Sequence, residues 1–289
     1  MTEEELEALR RHAFGVAYRM LGSVTEAEDV AQEALLRLAQ QEASIDEPAA
    51  WMTTVATRLS INVLRSARVR REAYVGPWLP EPLLEDPEPG PASRAELSDS
   101  LSQALLVVLE RLSPVERAAY LLRDVFGYEY SEVARIIERT EANSRQLVTR
   151  ARKHIEASRP RIDADEEVLQ ALLERFLAAA EEGDVEALEE LLAEDVVLYA
   201  DGGGKAIAPA VPLPGAALVA QFVVSVARMR RALGEFEPRM VTVNGQPGRL
   251  LRVRVPGGDR VWEVLTVEVA DGRIQTVRLV RNPDKLAHL

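Results

Sequence analysis

Across residues 1–75 apolar side chains recur at helical spacing while glycine and proline are sparse, which predicts helices. In EAEDVAQEALLRLA, Val30, Ala34 and Leu38 are expected to face inward and Asp29, Gln32 and Glu33 outward. Thr25-Glu26-Ala27-Glu28 reads as its capping-box start. The next pattern, EPAAWMTTVATRLSINVLRSARVRR, gives an apolar stripe of Val55, Leu59 and Val63 opposite Arg58, Asn62 and Arg65. Helical periodicity stops in GPWLPEPLLEDPEPGP, residues 76–91, whose six prolines and two glycines predict a stiff extended linker. It resumes over 97–156. Beyond 159–165 helices mix with strands.

The segment 97–156 is legible in detail. Ser113-Pro114-Val115-Glu116 predicts a capped helix start with proline in the first turn, and that helix is expected to run to about Val125. Ser131 is expected to cap a short helix, EVARIIER. A turn at Arg139–Glu141 leads into ANSRQLVTRARKHIEA, making a helix-turn-helix. Leu147, Ala151 and Ile155 would pack on Val133, Ile136 and Ile137, with His154 near the core edge. In this motif the second helix enters the major groove. Asn143, Ser144, Arg145, Gln146 and Thr149 are placed to reach bases, and Arg150, Arg152 and Lys153 to hold phosphates. The alternative is a helical corner with a solvated basic face.

A net charge of −12 argues at first against nucleic acid. Its distribution changes the picture. Residues 58–71 hold five arginines and no acid, and residues 142–154 hold three arginines, Lys153 and no acid. Phosphate contact needs local positive charge, not a basic whole. A face with Arg58, Asn62, Arg65, Arg68, Arg70 and Arg71 suits a single strand, with Trp51 either a stacking platform or core. The chain has no cysteine, which excludes disulfides and cysteine-based zinc sites and favours a reducing compartment. The acidic start MTEEELEALRR has no signal-peptide core, and no apolar run approaches 18 residues, so a cytoplasmic protein without membrane contact is expected. No metal or cofactor is called for.

These stretches resemble a known family. TEAEDVAQEALLRLAQ with AAWMTTVATRLSINVLRSARVRR is similar to the second conserved region of extracytoplasmic-function sigma factors, and LERLSPVERAAYLLRDVFGYEYSEVARIIERTEANSRQLVTRARKHI to their fourth. The C-terminal part resembles the SnoaL-like fold. EEVLQALLERFLAAAEEGDVEALEELLAEDVVLYADGGG fits its opening, residues 214–231 read as a helix, and strands are expected near 238–244, 249–255, 261–269 and 273–281. Asn244-Gly245, Pro256-Gly257-Gly258 and Asp271-Gly272 would turn between them. The subgroup carrying this extension is also marked by WLPEP at 78–82, DGGGK at 201–205 and NPDKL at 282–286.

The resemblance implies a multidomain fold: two all-α DNA-binding domains and an α+β SnoaL-like cone. The expected boundaries are 1–75 for region 2, 76–98 for the proline-rich linker, 99–158 for the region 4 helix-turn-helix and 159–289 for the cone. It further implies a sigma subunit without catalysis, partnered by core RNA polymerase and promoter DNA. Asp29, Gln32 and Glu33 would dock on clamp helices of the largest subunit, and region 4 on the flap of the second-largest. Trp51–Arg71, with the loop from Gln40 to Ala50, would melt and hold the −10 element, Asn62 reading a base; the helix Ala142–Glu156 would read the −35 duplex. Leu147 stands where many members carry a basic residue, so the −35 preference is expected to differ. The extension would act in cis, through Trp78, Leu79 and Pro80 meeting Asp201, Gly202, Gly203, Gly204 and Lys205, and Asn282, Pro283, Asp284 and Lys285. For the triple glycine, a phosphate cradle, a contact surface and a mobile hairpin stay open. The other reading is a cone that works as an isomerase, cyclase or ligand sensor. Tyr199 and Asp201 alternate on one strand face and are candidates for its acid/base pair, His288 lies in a tail expected to fray, and a small ligand in the pocket stays open, with no residue naming one.

Overall fold

The computed structural model describes the chain except residues 42–44, 85–101, 159–165 and 256–257, and describes backbone alone at 67–72, 255, 258 and 259. Part of the loop after Gln40, most of the linker, the boundary near 159–165 and the expected turn at 256–257 therefore lie outside the described residues. Two compact units are present. One joins residues 1–73 with 105–159, the other 74–104 with 160–289.

The first unit is helical. Helix α1 (Glu3–Leu21) packs on α2 (Val24–Ala39) and α3 (Pro48–Glu72). Val30, Ala34 and Leu38 of α2 are buried as the pattern predicts. Its cap differs: the helix begins earlier, with the Ser23 side chain accepting from the Glu26 N–H at 3.2 Å. Helix α3 also turns a different face inward. Met52, Thr53, Ala56, Thr57, Ser60, Ile61 and Leu64 are buried, while Val55, Leu59 and Val63 are only half-buried. Of the small polar residues inside, Thr53 donates to the Ala49 carbonyl of its own helix at 3.1 Å.

The same unit continues with α4 (Gln103–Leu109), whose first two residues belong to the second unit, and α5 (Pro114–Tyr120). Ser113 and Glu116 form the predicted reciprocal capping box. A π-turn, Leu121–Val125, extends α5. Helices α6 (Tyr130–Ile137) and α7 (Glu141–Ser158) follow. Glu129, not Ser131, caps α6, paired with Glu132. Its end is set by Glu138 in the left-handed region, φ 56°.

The second unit layers α8 (Glu166–Glu182), α9 (Val185–Leu191) and α10 (Ala216–Leu233) on one six-stranded sheet. The strands are β1 (Leu192–Asp201), β2 (Leu213–Pro214), β3 (Phe236–Val243), β4 (Gln246–Val255), β5 (Gly258–Ala270) and β6 (Arg273–Val280), ordered β2-β1-β6-β5-β4-β3. Among the described residues β1 and β6 pair in parallel and the other neighbouring strands antiparallel. Phe176, Leu188 and Val219 from the helices meet Val196, Val267 and Val277 from the sheet. Apolar burial, at about 1.5–3 kcal/mol per large side chain, outweighs any exposed ion pair here. The predicted Asn-Gly and Asp-Gly turns are two-residue hairpins, with Val243 opposite Gln246 and Ala270 opposite Arg273.

Candidate nucleic-acid interface

Helices α6 and α7 form the helix-turn-helix. Leu147, Val148, Ala151 and Ile155 are buried, and Arg145, Gln146, Thr149, Arg150, Arg152, Lys153 and His154 are exposed. Asn143 is half-buried. Ser144 departs from its expected place: it is fully buried, and its hydroxyl donates to the Thr140 carbonyl at 3.0 Å.

Acids of the same unit already hold several of these cations. Arg152 makes two bonds to Asp124, at 2.8 and 2.5 Å, which raise its pKa. Arg150 lies 3.3 Å from Glu116. Burial opposes charge on Glu116, yet the Ser113 bonds and Arg150 hold its pKa below the usual carboxylate value. Arg145 pairs with Glu141 at 2.5 Å and lies over the Tyr130 ring, 4.2 Å from its centroid.

The second basic window meets the helix-turn-helix. Arg58 donates to the Ile136 and Arg135 carbonyls, both at 2.9 Å, where α6 leaves carbonyls without intrahelical partners. Trp51 is half-buried; Asn62 and Arg65 are exposed; the side chains of Arg68, Arg70 and Arg71 lie outside the described residues. Asp29 and Gln32 are exposed on α2, and Glu33 is paired with Arg37 at 2.8 Å. Sequence reasoning missed Arg117, which is 2% exposed and donates to the carbonyls of Leu109 (2.9 Å) and Met20 (2.6 Å) and to Glu110 (2.5 Å).

In the second unit the three marked stretches converge on Asp201, which is fully buried. Its Oδ2 accepts from the Leu79 N–H at 2.8 Å and from Lys285 Nζ at 2.7 Å; its Oδ1 accepts from the Tyr74 hydroxyl. Lys285 Nζ also donates to the Leu79 carbonyl at 2.5 Å and stands 4.0 Å from the centre of the Trp78 ring. Asn282 donates to the Tyr74 oxygen at 2.8 Å, and Lys205 pairs with Asp284. Pro80 and Gly202 are buried, Pro283 is exposed. Gly203 takes φ 58°, and a Cβ there would lie 2.2 Å from Asn282 Nδ2, so the glycine run makes a contact surface. Farther along, Leu83 and Asn244 exchange two bonds, at 3.1 and 2.8 Å. His288 is tied as well, its Nε2 lying 2.9 Å from the Pro82 carbonyl.

Tyr74 was not legible from the sequence. Burial, then the bond to Asp201, raises its pKa above the ordinary value of 10. A phenol held neutral by the fold contributes stability that is complete below pH 10 and lost as pH rises through the folded pKa. Alkaline unfolding followed by tryptophan fluorescence is expected to begin near pH 10, and Tyr74→Phe to flatten that part of the profile.

Comparison with known proteins adds identity to this geometry. Residues 6–70 match Sigma-70 region 2, residues 102–155 match Sigma-70 region 4, and residues 173–277 match a SnoaL-like domain. The ECF RNA polymerase sigma factor SigJ of Mycobacterium tuberculosis is 36% identical over 99% of this chain and 93% of its own length. The chain belongs to the extracytoplasmic-function RNA polymerase sigma factors. The probable sigma factor SigI of the same species is 29% identical over 92% of the chain and 96% of its own length. The SigJ crystal structure superposes with a TM-score of 0.78 at 32% identity, covering 99% and 98% of the two chains. The function is thus that of a sigma subunit in transcription initiation. Helical regions 2 and 4 and an α+β SnoaL-like domain make up the sigma factor's fold. Among the described residues, no helix is long and apolar enough to cross a membrane.

Proposed function

We propose that the sigma factor reads two promoter elements with two helices and is restrained in cis by its third domain. Helix α7 reads the −35 duplex, with Asn143, Arg145, Gln146 and Thr149 at base edges and Arg150, Arg152 and Lys153 on phosphates. Helix α3 holds the melted −10 strand through Trp51, Arg58, Asn62, Arg65, Arg68, Arg70 and Arg71. Asp29, Gln32 and Glu33 meet the clamp helices of the polymerase's largest subunit, region 4 meets the flap of the second-largest, and the chain works in the cytoplasm.

The observation that carries this reading is the exposed, cation-rich face of α7 opposite a packing face that is apolar apart from Ser144. Internal pairing refines it. Arg58, Arg150 and Arg152 must exchange carbonyl or carboxylate partners for nucleic acid, so the described arrangement disfavours promoter binding. A regulatory third domain is favoured over a catalytic one by Asp201, whose carboxylate is spent on Tyr74, Leu79 and Lys285 rather than on a cavity. Neither Tyr199 nor Asp201 is among the residues that line the cavity between α8, α10 and the sheet.

Run-off transcription with core polymerase on promoter variants tests the reading. Arg145→Ala is expected to reduce −35-dependent output by about 5- to 150-fold, equivalent to about 1–3 kcal/mol of base readout. Output that is indifferent to the −35 sequence in both proteins refutes the assignment of α7. Deleting residues 160–289 without changing output or polymerase affinity refutes restraint in cis.

A further inference from the structure

Arg145 differs from the other arginines of α7 in what holds it. Arg150 and Arg152 are paired with acids of other elements, Glu116 and Asp124. The carboxylate beside Arg145 is Glu141, one turn earlier on the same helix, which accepts from Arg145 Nη2 at 2.5 Å. The rest of the hold is aromatic. The guanidinium carbon of Arg145 lies 4.2 Å from the centre of the Tyr130 ring. A ring face attracts a cation within roughly 6 Å of its centre, so this contact is a close one.

Tyr130 is itself fixed. It begins α6, whose start is closed by the reciprocal bonds of Glu129 and Glu132. Its side is half-buried, and a second guanidinium, that of Arg123, stands 4.8 Å from the ring centre. Arg123 donates to the Tyr128 carbonyl at 2.9 Å, which keeps it beside the ring. The first helix of the helix-turn-helix thus supplies the ring and the second supplies the guanidinium, within one unit.

An arginine side chain is long and loses rotamer freedom when a base fixes it. A contact that holds it beforehand leaves less to lose on binding. A stacked ring covers a face of the guanidinium, whereas the N–H donors lie along its edges. The bond to Glu141 occupies one of those donors. Others remain for the O6 and N7 of guanine, which a guanidinium meets with two parallel bonds.

We propose that Tyr130 is a positioning residue for promoter recognition: its ring holds the Arg145 guanidinium in the orientation that reads a guanine of the −35 element. This rests on Arg145 reading a base, as proposed above. Tyr130 touches the arginine rather than the DNA. It therefore sets how sharply one base is preferred, not how strongly the duplex is held, and the ring matters while the hydroxyl does not.

The test uses holoenzyme assembled from core polymerase and the full chain. Promoters randomised across the −35 element are transcribed together, and the base preference at each position is read from the transcripts. Arg145→Ala locates the position, where a guanine preference is expected to vanish. Tyr130→Leu is expected to lower that same preference about 2- to 5-fold, equivalent to about 0.5–1 kcal/mol. The other positions and the salt dependence of output are expected to stay as they are, since no phosphate contact is lost. Tyr130→Phe keeps the ring and is expected to keep the preference. Added to Arg145→Ala, Tyr130→Leu is expected to cost nothing further at that position. Circular dichroism checks the fold, and Tyr130→Met, which also lacks a ring, replaces the leucine variant if that one does not fold. If Arg145→Ala removes a guanine preference at no position, base reading by Arg145 and the role of Tyr130 fall together. If Arg145→Ala removes one and the ring-less variant keeps it, or weakens every position alike, positioning by Tyr130 is refuted and Arg145 keeps its base. A Tyr130→Phe loss as large as that of Tyr130→Leu refutes it too, because the hydroxyl is then the part that acts.

Discussion

Arg117→Ala is expected to cost the first unit about 3–5 kcal/mol, because it strips a buried charge network of its centre. The guanidinium donates to Leu109, Met20 and Glu110 at once, and burial pushes its pKa down to about 9, which leaves it charged at neutral pH. Removing it strands two carbonyls and a carboxylate and opens a cavity under α5. The Met20 carbonyl lies in the 1–73 part of the unit and Leu109 in the 105–159 part, so one side chain ties both together. Thermal unfolding should show the loss as a fall in Tm of roughly 10 °C or more for that unit. Arg117→Lys keeps the charge but not the forked geometry and is expected to recover less than half. A wild-type Tm in Arg117→Ala would mean that the network contributes no net stability.

Asp201→Ala is expected to destabilise the second unit by a similar amount, about 3–5 kcal/mol, and to free residues 74–84 from the sheet. It leaves the Lys285 ammonium 5% exposed without its carboxylate, and deprives the Leu79 N–H and the Tyr74 hydroxyl of their acceptor. Limited proteolysis reads the release directly, as faster cleavage within 74–84. Asp201→Ala with Lys285→Met is expected to be more stable than Asp201→Ala alone, since the second change removes the stranded charge. If the strap restrains the sigma domains, Asp201→Ala also changes run-off output; unchanged output with faster cleavage would separate the contact from any regulatory role.

Much of this architecture is readable from local rules, and the failures share a cause. Ser113 with Glu116, the Asn-Gly and Asp-Gly hairpins and the inward line of α2 follow from spacing and turn chemistry alone. The inward face of α3 does not, because Thr53, Thr57 and Ser60 are polar by type yet buried, with Thr53 bonding back to its own helix. Ser144 deceives in the same way: a polar residue early in α7 looks like a base reader until its bond to Thr140 turns it inside. Tyr74 carries no local signal at all, since it finds its partner 127 positions away.

The distance along the chain between the strap and its lysine has a consequence for synthesis. Leu79 and Lys285 are 206 positions apart, so on a ribosome adding about 5–20 residues per second the N-terminal helices wait ten seconds or more before that lysine is made. A nascent chain therefore carries its N-terminal helices with residues 74–84 still unfastened, and the Lys285 contacts to Leu79 and Asp201 can form only after that lysine has been made.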